Sequence, residues 1–92
     1  MIGSFKHKAL QKLYTDDGRR GLPPEQIERL QLVLSALAQA KQISELQRPS
    51  FRLHPLKGDY KGFWSITVRA QWRIVFRFVG EIAYDIDLVD YH

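Results

Sequence analysis

Residues 64–88 read WSITVRAQWRIVFRFVGEIAYDIDL, and the alternation in this stretch decides the fold. Trp64, Ile66 and Val68 are separated by Ser65 and Thr67. Trp72, Ile74, Phe76 and Phe78 are separated by Arg73, Val75 and Arg77. Ile82, Tyr84, Ile86 and Leu88 follow, with Asp85 and Asp87 between them. A period of two marks strands that bury one face, so three strands of an antiparallel meander are predicted. A one-residue slip would turn every side chain over, so the apolar sets also fix a register. Aligning them pairs Val68 with Trp72 and Ile66 with Ile74, then Phe78 with Ile82, Phe76 with Tyr84 and Ile74 with Ile86. The second hairpin then closes through Val79-Gly80-Glu81, with Gly80 free to take a positive φ. One face is nearly all apolar. The other collects Ser65, Thr67, Arg73, Arg77, Asp85 and Asp87, with Arg73 opposite Asp87.

Upstream, the period changes to that of a helix. A first helix is expected from Ser4, as N-cap, to about Thr15, with Ala9, Leu10, Leu13 and Tyr14 as its apolar stripe. Asp16-Asp17-Gly18 ends it, and Arg19-Arg20-Gly21 forms a basic loop. Pro23-Pro24 opens a second helix, where Ile27, Leu30, Val33, Leu34, Leu37 and Ala38 recur at three- and four-residue steps. A short helical turn follows at Ile43–Leu46, and Pro49 and Pro55 bracket an extended loop. The expected class is α+β, with two N-terminal helices packed on the apolar face of a twisted antiparallel sheet.

The 92 residues make one domain, 1–92, with a thin core and no space for a buried cofactor cavity. No cofactor and no metal are expected. The absence of cysteine excludes disulfides and thiolate metal sites, and no His pair has metal-ligand spacing. There is no phosphate-cradling glycine loop and no nucleophile elbow. No apolar run approaches the roughly 18 residues of a membrane span, and Met1–Lys8 does not read as a signal peptide, so a cytoplasmic protein without membrane contact is expected. The net charge of +4 favours a polyanionic partner. Residues 1–20 and 47–77 hold most of the Lys and Arg, whereas 81–90 hold acids and no base. That asymmetry predicts two faces with different tasks.

Cleavage of an RNA phosphodiester needs a base for the ribose 2′-OH, an acid for the departing 5′-oxygen and fixed cations for the phosphoryl oxygens. Imidazole suits both proton roles, whereas ammonium and guanidinium suit the third. His54, Lys57, Arg73, Tyr91 and His92 are of these types, and all can converge on the polar sheet face. His92 would need Asp90 or its own carboxylate to hold it. Taken singly, each also has a structural reading: a solvent-exposed histidine, an ordinary turn at Lys57-Gly58-Asp59, a cross-strand ion pair.

Four segments resemble the HigB toxins of the RelE superfamily: Ser4-Phe5-Lys6-His7-Lys8, Leu53-His54-Pro55-Leu56-Lys57-Gly58-Asp59, the run from Trp64 to Arg73, and Asp90-Tyr91-His92. The likeness runs along the whole chain and is strongest over 53–76 and 90–92. It implies a RelE-like, microbial-ribonuclease-like fold with a short N-terminal strand near Ile2. It implies a metal-independent endoribonuclease that cuts mRNA in the ribosomal A site, and a HigA-like helix-turn-helix antitoxin as partner. The active-site set carried over is His54, Lys57, Arg73, Asp90, Tyr91 and His92, with Arg69 a weaker member. Lys6, Lys8, Lys12, Arg19 and Arg20 are candidates for gripping ribosomal RNA, or a solvated helix face. Gly3 stands where a basic residue is common. A toxin that must enter the A site is expected to act as a monomer. Two alternatives stay open: a gyrase-directed toxin on the same fold that binds protein without catalysis, and a plain RNA-binding module.

Overall fold

The structure is a computed structural model, and it describes residues 1–90. Two helices, α1 (Lys8–Asp16) and α2 (Ile27–Gln39), precede a four-stranded antiparallel sheet. Its strands are β1 (His54–Pro55), β2 (Trp64–Arg69), β3 (Trp72–Val79) and β4 (Ile82–Asp90), and they lie side by side in chain order. Leu10 and Leu13 of α1 and Leu30, Val33, Leu34 and Leu37 of α2 are buried in one cluster with Ile66, Val68, Ile74, Phe76, Ile86 and Leu88 of the sheet. Burying each such side chain contributes about 1.5–3 kcal/mol, so this single layer contact carries the fold. Among the described residues, no helix is long and apolar enough to cross a membrane.

Helix α1 starts later than expected. His7 is the N-cap, its Nδ1 accepting the Leu10 N–H at 3.3 Å. Ser4 is engaged elsewhere: its carbonyl accepts the Ile86 N–H and its hydroxyl accepts the Asp85 N–H at 2.8 Å. The expected N-terminal strand is present as two parallel bridges along β4, Ile2 to Ala83 and Phe5 to Ile86. Pro24 opens a 3-10 turn, Pro24–Gln26, and α2 proper begins at Ile27. Tyr14 lies outside the core, 44% exposed, with its ring 5.9 Å from that of Phe5.

Two expectations about register are corrected. Ile66 does pair with Ile74, but a bulge after Thr67 sets Arg69, not Val68, against Trp72. The second hairpin closes with Val79 opposite Ile82, so its loop is Gly80-Glu81 alone, Gly80 at φ 63°. Phe78 then faces Ala83 and Arg77 faces Tyr84. A further bulge follows, beyond which Val75 pairs with Asp87, Ile74 with Leu88 and Arg73 with Val89. Arg73 is therefore not opposite Asp87. Near the turn the inward residue is Ala83, fully buried, whereas Tyr84 lies on the outer face under the Arg77 guanidinium. Beyond the bulge Ile86 and Leu88 face the core as expected, but slid two residues along β3.

The segment expected to be an extended loop between Pro49 and Pro55 contains a 3-10 turn, Pro49–Phe51. Phe51 is fully buried, with the guanidinium groups of Arg29 and Arg48 about its ring at 5.2 and 4.9 Å. Arg29 donates to the carbonyls of Ser50 and Thr67, which ties α2 to this turn and to β2.

Candidate active site

Directly opposed residues of antiparallel strands share a face, so the register places each candidate side chain. His54 pairs with Ser65, Ser65 with Val75, and Val75 with Asp87. These four form one row across the sheet, on the face turned away from the helices. The neighbouring row is Thr67, Arg73 and Val89. His54 and Arg73 therefore look out from the same side. Two strand spacings and one residue pair along the strand put their Cα atoms about 12 Å apart.

His54 is exposed on the short edge strand β1, and the chain leading to it is fixed by the buried Phe51 and by Arg29. Three residues later Lys57, also exposed, precedes the 3-10 turn Gly58–Tyr60, where Gly58 takes φ 64°. The backbone between them is held by the Leu56 N–H, which donates to the Phe63 carbonyl at 2.9 Å. This face is not uniformly solvated. Val75 is fully buried, and Ser65 and Leu56 are nearly so, while neither Val75 nor Leu56 belongs to the helix-side cluster. The middle of the face is thus a buried strip, with the exposed His54 and Lys57 beside it.

At the β2–β3 hairpin, Arg73 Nη1 donates to the carbonyls of Ala70 and Trp72. Ala70 is at φ 53°, and the guanidinium braces that strained turn. Trp72 pairs with both Arg69 and Asp90, so Arg69, Arg73 and Asp90 gather at the same end of the sheet. Arg69 and Asp90 share Trp72's face, on the helix side, and have only the end of the sheet in common with Arg73, whereas His54 lies in the row next to Arg73 on the outer face and Lys57 follows β1. Tyr91 and His92 lie outside the described residues. Lys6, Lys8, Lys12, Arg19 and Arg20 are all exposed. Lys8 and Lys12 belong to α1, in the helix layer, which separates them from the face of His54 and Arg73. Arg19 pairs with Asp17 at 3.7 Å.

At the far end of the outer face, Arg77 Nε donates to Asp85 Oδ2 at 2.8 Å, and Ser4 Oγ to Asp85 Oδ1 at 3.4 Å. Sequence reasoning placed Arg77 and Asp85 on this face but missed the part played by Ser4. It also missed Phe51 and Arg29. The usable signal for Phe51 was an aromatic residue stranded in a proline-bounded segment.

An exposed imidazole and ammonium beside β1, with a guanidinium on the same face whose Cα lies about 12 Å from that of His54, can together approach an extended polyanion, two by charge and one by proton transfer. Comparison with known proteins narrows this. Residues 3–92 match the family described as RelE-like toxin of type II toxin-antitoxin system HigB. The chain is 48% identical over 92 residues to Endoribonuclease HigB of Proteus vulgaris, covering all of both chains. It is 40% identical over 85 residues to Toxin HigB-1 of Vibrio cholerae serotype O1, covering 90% of each. Among solved structures, YafQ from E. coli strain BL21(DE3) superposes with a TM-score of 0.67 over 98% of this chain and 91% of its own, at 13% identity, which shows a shared fold.

Proposed function

Since the chain belongs to the HigB-like family of RelE-type toxins and is an endoribonuclease of a type II toxin–antitoxin system, we propose that it cuts messenger RNA in the A site of the 70S ribosome. The ribose 2′-oxygen attacks the adjacent phosphorus, the bond to the 5′-oxygen breaks, and a 2′,3′-cyclic phosphate and a 5′-hydroxyl result. His54 and His92 share the two proton transfers, with Asp90 supporting His92. Lys57 and Arg73 neutralise the phosphoryl oxygens as charge builds, and Arg69 assists them. Tyr91 orients or stacks on a nucleotide. The proton and charge work is done by side chains, and the whole of 1–92 acts as one toxin domain.

The observation that carries this reading is the register, which sets His54 and Arg73 on one face, away from the helices. The full-length endoribonuclease relative favours cleavage over both non-enzymatic alternatives, gyrase binding and plain RNA binding. As a member of a toxin–antitoxin system the protein has an antitoxin partner. We take that partner to be a HigA-like helix-turn-helix protein and the active toxin to be a cytoplasmic monomer that contacts ribosomal RNA through its basic residues. Primer extension on a messenger translated in vitro tests the proposal. New 3′ ends should appear in the A-site codon only when ribosomes are present. Equal cutting of the free messenger would rule out the ribosomal part.

A further inference from the structure

His54 stands on an edge strand that is weakly held by its own ladder. β1 pairs with β2 at two positions, His54 to Ser65 and Pro55 to Trp64, and Pro55 has no N–H to give. Continued back from His54, the same register would set Arg52 against Thr67. The pairing stops before that point, and Arg52 turns the chain at φ 48°. At the Thr67 position a side chain acts where a strand would have. Arg29 Nη2 donates to the Thr67 carbonyl at 3.0 Å and also to the Ser50 carbonyl. One nitrogen thus bridges β2 and the turn that leads into His54. It comes from the first turn of α2, whose Ile27 and Leu30 are buried. Phe51 and Leu53 also hold this segment, but an apolar contact is non-directional and leaves it free to slide along β2. Hydrogen bonds are directional, and two of them from one fixed atom stop that slide. Thr67 in turn pairs with Arg73.

We propose that Arg29 is a positioning residue for cleavage: its guanidinium sets the distance between His54 and Arg73 by tying the root of the His54 strand to the β2 residue that faces Arg73. Arg29 touches no substrate and acts through the backbone alone. Arg73 belongs to β3, which is paired on both sides, and does not depend on the bridge. His54 does. Without Arg29, β1 keeps its two pairs with β2 and the bond from the Leu56 N–H to the Phe63 carbonyl. Those contacts make a hinge about which His54 shifts while Arg73 stays in place. Arg48 separates this bridge from mere charge on the turn. Its guanidinium also stands over the Phe51 ring, at 4.9 Å, but among the described residues it bonds to no carbonyl of β2. The inference rests on the reading that His54 and Arg73 act on one phosphate.

The test compares Arg29→Met, Arg48→Met, His54→Ala and the double variant of Arg29→Met with His54→Ala. It measures single-turnover cleavage of a messenger on programmed ribosomes, with backbone amide NMR of each free toxin. Methionine keeps an unbranched apolar stem beside Phe51 and removes the donors. A displacement of about 1 Å at reacting groups can cost about 100-fold, so Arg29→Met should slow cleavage about 10- to 100-fold at saturating ribosome. The half-saturating ribosome concentration should stay near that of the wild type, and Arg48→Met should keep the wild-type rate at saturation. Residues that act as a unit are not additive, so the double variant should be no slower than His54→Ala alone. A purely structural role would lower the thermal midpoint of Arg29→Met and leave the rate of the folded protein at saturation unchanged. That result overturns the proposal. So does equal slowing by Arg48→Met, or a double variant slower than His54→Ala by the full Arg29→Met factor. Arg29→Lys, whose ammonium falls one bond short of the two carbonyls, serves where Arg29→Met does not fold and is judged in the same way. If His54→Ala cuts like the wild type, the assignment of His54 fails on its own. The bridge is then judged by NMR, where unmoved amide signals of residues 51–54 in the Arg29 variant overturn it.

Discussion

Lys57 and His92 separate a chemical role from a structural one most cleanly, because replacing an exposed lysine such as Lys57 removes little packing. Lys57→Ala and His92→Ala should each abolish growth inhibition on induction while the thermal midpoint stays within a few degrees of wild type. Full toxicity of either variant removes that residue from the site. Arg73 is different, because its guanidinium also braces the carbonyls of Ala70 and Trp72. Arg73→Lys keeps the charge and loses the planar fork. A charge-assisted hydrogen bond contributes about 1.5–3 kcal/mol, so single-turnover cleavage should fall about 10- to 100-fold. A rate within twofold of wild type would show that Arg73 acts as a point charge alone. Gly3 carries the opposite lesson. In sequence it reads as a lost basic residue. In the fold, a Cβ there would meet the Tyr84 ring at 2.6 Å and Ile82 Cγ2 at 2.7 Å. Gly3→Val should therefore cost about 1–3 kcal/mol, read from the urea midpoint. An unchanged midpoint would mean that the N-terminal segment is not held against β4 in solution.

Hydrophobic period is a statement about faces, and it was legible wherever a strand keeps one face inward throughout. In β2 and in β3 from Trp72 to Phe78 the alternation located the core and put Arg73 on the outer side. In β4 it located the strand and misjudged its first half. Ile82, Tyr84, Ile86 and Leu88 alternate without a visible break, so nothing in their spacing marks the residue inserted at Asp85. The choice between Ala83 and Tyr84 as the inward residue is made in space. Ala83 fits beneath the helices, and Tyr84 finds Arg77 outside and no side chain on Gly3. The first half of the His54 loop was illegible for a related reason. Phe51 is buried by partners distant in sequence, Arg29 on α2 among them, and no local pattern records that contact. Phe51→Ala should cost about 3–5 kcal/mol. At about 4–8 °C per kcal/mol for a domain of this size, the thermal midpoint should fall by well over 10 °C. A fall of only a few degrees would show that the turn before β1 is not anchored through Phe51, and the rigid placement of His54 would lose its basis.

Across the whole molecule, charge and chemistry occupy different layers. The net charge of +4 is the small remainder of bases in residues 1–20 and 47–77 set against acids in 81–90. Some of those bases, Arg73 on β3 and Lys57 just after β1, lie in the sheet layer with His54. Others, Lys8 and Lys12, project from α1 on the far side, too distant to touch the same phosphate. On the proposed reading of a messenger cut within the ribosome, polyanion lies on more than one side of the toxin, and the helix-layer lysines would meet it on the side away from His54 and Arg73. Every phosphate that a lysine ceases to neutralise should lower the slope of log affinity against log salt by roughly 0.7–0.9. Reversing Lys8 and Lys12 together to Glu should therefore flatten the salt dependence of ribosome co-sedimentation by about 1.4–1.8. It should also raise the toxin concentration needed for cleavage at physiological salt, with most of the loss recovered at low ionic strength. Reversing Lys57 should behave otherwise, because the defect there lies in the reacting phosphate and lowering the salt cannot restore it. If the α1 reversal leaves the slope unchanged, these lysines form a solvated helix face and the ribosome is held by the sheet side alone.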